Sequence, residues 1–98
     1  MVIIYDKKGF DKLLELEITS FKNVDLSGAN LKDANLVQYD LSYVILRDAN
    51  LEGADLRLAD LSNADLTGAN LIGADMTGTI LTNTKMDNKI IPIVPQAL

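Results

Sequence analysis

The chain has 98 residues, nine of them basic and fourteen acidic, with a net charge of −5 and no cysteine, histidine or tryptophan. Its length supports one small domain, and its acidity leaves none of the basic surface that direct binding to nucleic acid or an anionic membrane requires. Without imidazole or thiol there is no zinc finger, thiol nucleophile or Ser-His-Asp triad.

The first element is Val2-Ile-Ile-Tyr5, which reads as a short strand. Phe10, Leu13 and Leu14 then fall at i, i+3 and i+4 between Gly9 and Glu17, the spacing of a short amphipathic helix. Residues 1–18 are therefore expected to form a strand-and-helix cap, although Leu16 is already in phase with the pattern that follows. The chain has no apolar run long enough to span a bilayer. Its start lacks the basic n-region of a signal peptide, and neither end carries a lipidation motif. A cytoplasmic setting is the expectation.

From residue 19 to residue 88 one period dominates. Every fifth residue is apolar: Phe21, Leu26, Leu31, Leu36, Leu41, Leu46, Leu51, Leu56, Leu61, Leu66, Leu71, Met76, Leu81 and Met86. Two residues before these lies a column with eight alanines, and the residue immediately before is Asp or Asn in ten of fourteen cases. Five of the six glycines fall two residues after the apolar position. In an α-helix a spacing of five places successive side chains about 140° apart, so no single face collects them. In a strand an odd spacing alternates them between faces. The chain must bend once per five residues, always in the same sense, at turns built from Gly, Asn, Asp and Ser. That describes an all-β solenoid.

Stretches such as Ala49-Asn-Leu-Glu-Gly53, Ala54-Asp-Leu-Arg-Leu58, Ala64-Asp-Leu-Thr-Gly68 and Ala69-Asn-Leu-Ile-Gly73 closely resemble the pentapeptide repeat family, whose motif is Ala-(Asp/Asn)-Leu-x-x. The resemblance covers fourteen tandem units over residues 19–88. It implies a right-handed quadrilateral β-helix with four units per coil, hence about 3.5 coils and a rod roughly 17 Å long at about 4.8 Å per coil. The open ends of such a stack need covering. At the C-terminal end, residues 89–98 contain Ile90-Ile-Pro-Ile-Val-Pro95, where proline forbids a helix or a central strand. This apolar tail is expected to cap the last coil or to bury itself in a second copy.

Four units per coil would bring Asp40, Asp55, Asp60 and Asp75 to one acidic corner, while Asn30, Asn50 and Asn70 would stack as a neutral ladder. The acidic corner has two readings: carboxylates that satisfy turn amides, or a surface imitating a phosphate backbone. Over Val37–Leu46 the motif breaks, with Tyr39 and Val44 at alanine positions and Ile45 at an Asp/Asn position. Tyr43 and Ile45 are the candidate apolar contact for a partner, against local repacking as the plainer reading. There is no calcium-loop motif, and a Leu-filled rod offers no substrate pocket, so no metal, cofactor, small-molecule substrate or catalysis is expected. The first functional reading is a non-catalytic scaffold for protein–protein interaction, with homodimerisation through the termini as one route. The second is a DNA mimic: some acidic relatives in this family bind DNA gyrase and protect it from quinolones. The uninterrupted repeat and the short rod weigh against that reading.

Overall fold

The computed structural model describes residues 1–87. The tail expected at 89–98, together with residue 88, lies outside the described residues. β1 (Val2–Tyr5) and β2 (Lys12–Leu16) form an antiparallel hairpin in which Val2 faces Leu16 and Ile4 faces Leu14. From there the chain bends every five residues. Asp25 bridges Ile45, Asn30 bridges Asn50, Asn35 bridges Asp55 and Asp40 bridges Asp60, all in parallel. The last such pairing is regular enough to form a second small sheet, β3 (Asp65–Leu66) with β4 (Lys85–Met86). Every one of these parallel pairs is twenty residues apart, so four pentapeptides separate each segment from the one stacked on it.

One unit, Ala54–Leu58, shows why the period holds. The Ala54 amide donates to the Leu51 carbonyl and closes the preceding turn; the Asp55 amide donates down the stack to the Ala34 carbonyl. The Leu56 amide donates up the stack to Asp75 and the Leu58 amide to Thr77. The fifth amide, that of Arg57, points at no carbonyl and donates to the Asp55 carboxylate at 3.2 Å. All five donors are thus satisfied, as a backbone in this packing demands. The residue two after each apolar position has positive φ at every unit from Asn23 to Asn83, as the third residue of a type II turn does. At Gly78 (φ +72) an added Cβ would also lie 2.7 Å from the Leu58 side chain.

Phe21 and the column from Leu26 to Met76 are buried, and Leu81 and Met86 are partly buried against the same core. Seven of the eight repeat alanines are buried with them; Ala29 is half-buried.

The helix expected between Gly9 and Glu17 does not form. Asp6 nucleates a turn there instead: its Oδ1 accepts the Phe10 and Asp11 amides, and Gly9 takes φ +80. Leu14, Leu16 and Ile18 are then half-buried in strand alternation with exposed Glu15 and Glu17, while Phe10 is 84% exposed. A nine-residue helix is marginal by itself, and two-residue alternation serves this segment better. The hairpin covers the first coil on one side only, where the Asn35 amide donates to Tyr5 and the Lys7 amide to Asp33.

At the next side the ladder opens. One coil further on, the Asp60 amide donates to Tyr39 and the Leu41 amide to Asp60. Among the described residues the equivalent bonds, Asp40 amide to Thr19 and Phe21 amide to Asp40, are absent. Asn23 donates one residue out of register, to Tyr43. Tyr39 is the cause. Its ring stands in an alanine column, 6.1 Å from the Phe21 ring, with its hydroxyl 3.5 Å from the Ile3 carbonyl, and the segment below it is pushed aside.

Leu56 is fully buried in the middle of the column. Leu56→Ala should lower stability by about 2–5 kcal/mol in urea unfolding, whereas a change within about 0.5 kcal/mol would show that the column does not hold the coils together.

Candidate functional site

The outward surface is made of four flat columns whose composition follows the twenty-residue register. One carries Asp25, Ile45, Asp65 and Lys85, the next Asn30, Asn50 and Asn70. The third carries Asn35, Asp55 and Asp75, and the fourth Asp40, Asp60 and Ile80. Asp40 and Asp60 therefore stack on one face and Asp55 and Asp75 on the adjacent one.

Each of these side chains has a local task. All ten Asp and Asn residues of the outward columns accept the amide two residues ahead, at 2.9 to 3.2 Å. Hydroxyls reinforce some of them: Ser42 donates to Asp40, Thr67 to Asp65 and Thr77 to Asp75. These bonds favour the ionised carboxylate. Ser27, Ser62 and Thr77 hold Asp25, Asp60 and Asp75 below the usual range. Asp65 is lowered furthest, to about 2, by the Thr67 hydroxyl with help from Arg47 across the stack. Asp55 is lowered chiefly by Arg57, whose Nε and Nη2 clamp both carboxylate oxygens at 2.8 and 2.7 Å.

The Arg57 clamp places a cation inside the acidic corner. Arg47–Asp65 and Lys32–Glu52 add further pairs between adjacent coils. The sequence reading did not single out these pairs, although Lys32 and Glu52 stand one register apart. Tyr43 is 43% exposed, and the Lys22 ammonium sits 5.0 Å above its ring. Ile45 is half-buried between Asp25 and Asp65. The structure thus sets Tyr43 and Ile45 on a turn and its adjoining face. Leu58, also exposed, lies on the turn that precedes Asp60, and Ile80, likewise exposed, stands in the Asp40/Asp60 column itself. Among the described residues no group of three acidic side chains is placed to hold a metal ion.

A family model described as pentapeptide repeats matches residues 19–57 and 45–83, with eight copies. Among solved structures, a pentapeptide repeat protein from the thylakoid lumen of Arabidopsis thaliana is 36% identical over 66% of this chain and 45% of its own, with a TM-score of 0.43. HetL, a pentapeptide repeat protein involved in heterocyst differentiation regulation in the cyanobacterium Nostoc sp. strain PCC 7120, is 42% identical over 62% of this chain and 27% of its own, with a TM-score of 0.43. One from the cyanobacterium Cyanothece 51142 is 38% identical over 70% of this chain and 54% of its own, with a TM-score of 0.38. The chain thus spans less than two thirds of the length of each. No curated protein matches it.

A carboxylate with a lowered folded pKa stabilises the fold above its unfolded value, and that stability is lost as pH falls through the folded value. With Asp65 moved from 3.8 to about 2 and four other aspartates lowered, the melting temperature should hold steady above about pH 5. It should then fall between about pH 4 and 2. Asp65→Asn, which keeps the amide bond that Asn50 and Asn70 make, should flatten part of that fall. An unchanged pH profile would show that the carboxylates carry no linked stability.

Proposed function

This chain belongs to the pentapeptide repeat family, and we propose that it is a non-catalytic scaffold whose flat outer faces bind another protein. The observation that carries the reading is the break in the outward pattern at Tyr43 and Ile45. An aromatic ring is held in a left-handed turn (φ +62), exposed, two residues from an isoleucine that stands between two aspartates. Ile45 takes up no turn amide, unlike the Asp and Asn of the outward columns, and the Tyr43 ring faces outward with the Lys22 ammonium over it, so apolar surface is presented at both positions. The finer description of the rod, a right-handed quadrilateral helix of about 3.5 coils over residues 19–88, is part of the same proposal and is supported by the parallel pairing at twenty residues. A cytoplasmic setting and a homodimer through the termini accompany it as proposals.

A DNA-like surface has less support. The acidic corner is interrupted by Arg57, and one oxygen of each of its four carboxylates is bonded to a turn amide.

Two assays separate the readings. In quantitative affinity capture, Tyr43→Ser/Ile45→Asp should remove a bound protein that the parent chain retains, at unchanged melting temperature. A gyrase supercoiling assay, run with and without a quinolone, should show no effect of the protein. Retention of every captured protein by the double variant would refute the scaffold surface. Gyrase inhibition or protection that disappears on neutralising Asp40, Asp55, Asp60 and Asp75 would put DNA mimicry in its place.

A further inference from the structure

Where the first coil opens, the fold leaves a cleft of about 570 Å³, lined by Met1, Val2 and Ile3 of the hairpin and by Thr19, Phe21, Tyr39 and Asp40 of the coils. Its walls carry unpaired backbone groups, as do the amides of Asp25 and Asn30 on the uncovered face of the first coil. The amides of Phe21 and Asp40 have no protein acceptor among the described residues, and the carbonyls of Thr19 and Asp40 receive no donor. One coil further on, the same positions are paired with their neighbours. Free donors and acceptors beside a cleft are what an extended chain satisfies when it adds itself to an open edge.

The side chains define what that chain carries. Val2, Phe21 and Tyr39 give the cleft an apolar lining. Asp40 stands at its rim. Its Oδ1 is committed to the Ser42 amide and hydroxyl, and among the described residues no lysine or arginine forms an ion pair with it. A nucleic acid or an acidic peptide meets a like charge at this rim, whereas a cation meets its complement.

We propose that this cleft docks an extended segment of a partner protein in which an aliphatic side chain is followed by a lysine or arginine. The aliphatic group enters against Phe21 and Tyr39, the cation pairs with Asp40, and the segment's backbone takes up the unpaired groups of Phe21, Thr19 and Asp40. The assignment rests on the scaffold reading and gives it a second surface, separate from Tyr43 and Ile45.

The test is an amide-resolved NMR titration of the full chain with the peptide acetyl-Thr-Val-Lys-Ile-Thr-amide, and with the same peptide carrying Glu in place of Lys. The lysine peptide should shift the amides of Ile3, Phe21, Tyr39 and Asp40, and the glutamate peptide should not. Asp40→Asn should weaken binding at least about tenfold, and Asp60→Asn should leave it within about twofold. Both variants keep the turn bond that Asn30, Asn50 and Asn70 already make at this position, so folding does not confound the comparison. Thr19→Trp, which fills the cleft, should abolish the shifts. No shifts up to millimolar peptide, or equal binding of the two peptides, would overturn the proposal. Shifts confined to Tyr43 and Ile45 would overturn the cleft and leave the scaffold reading standing.

Discussion

Everything in this molecule depends on how five consecutive amides find acceptors. One closes a turn, three reach the neighbouring coils, and the last is taken by an Asp or Asn side chain two residues back. The outward column is therefore part of the backbone's own accounting, although it stands at the surface. It also explains why Asn and Asp interchange there: the bond needs a side-chain carbonyl oxygen and not a charge. Charge is then free to vary from face to face, which gives one face Asn30, Asn50 and Asn70 and another Asp40 and Asp60.

The interior answers to the same rule. A bend at every fifth residue leaves room inside for one large aliphatic side chain and one alanine per unit, and both are buried along most of the rod. Tyr39 violates the alanine requirement, and the consequence is local and physical. The ring reaches Ile3 and Phe21, the segment below is displaced, and the ladder opens at Thr19–Phe21. The hairpin pairs with the Asp33–Asn35 side next to it and leaves the other sides of the first coil uncovered. An open edge is ordinarily a hazard that proteins cover or charge. Here Asp40 stands beside it.

The solenoid was legible because a period of five excludes both regular elements, and Phe21 through Met86 could be named as the interior from spacing alone. That four units lie between stacked positions was not in the spacing; it came with the family resemblance, and the parallel pairing of Asn30 with Asn50 displays it directly. The N-terminal segment was misread because Phe10, Leu13 and Leu14 satisfy helical spacing while Leu14, Leu16 and Ile18 satisfy strand spacing in the same few residues. The deciding signal was the Asp6-x-x-Gly9 turn, which the apolar pattern obscures. At the surface, Tyr43 and Ile45 stood out as departures from the motif. The Arg57 clamp on Asp55 and the cleft beneath Tyr39 depend on side-chain reach and on a displaced segment, which no periodicity records.

Among the described residues, hydrogen bonds between coils run from Val24 onward, with the Gly68 amide taken by the Asp87 carboxylate, and they fail at the first side, between Thr19–Phe21 and Asp40. Native-state hydrogen exchange reads this residue by residue. The amides of Leu51, Asp55, Leu56 and Asp60 should exchange only through global unfolding, while those of Phe21 and Asp40 should exchange orders of magnitude faster. Protection of Asp40 equal to that of Asp60 would contradict the account, because it would place an intact ladder where the structure shows an opening.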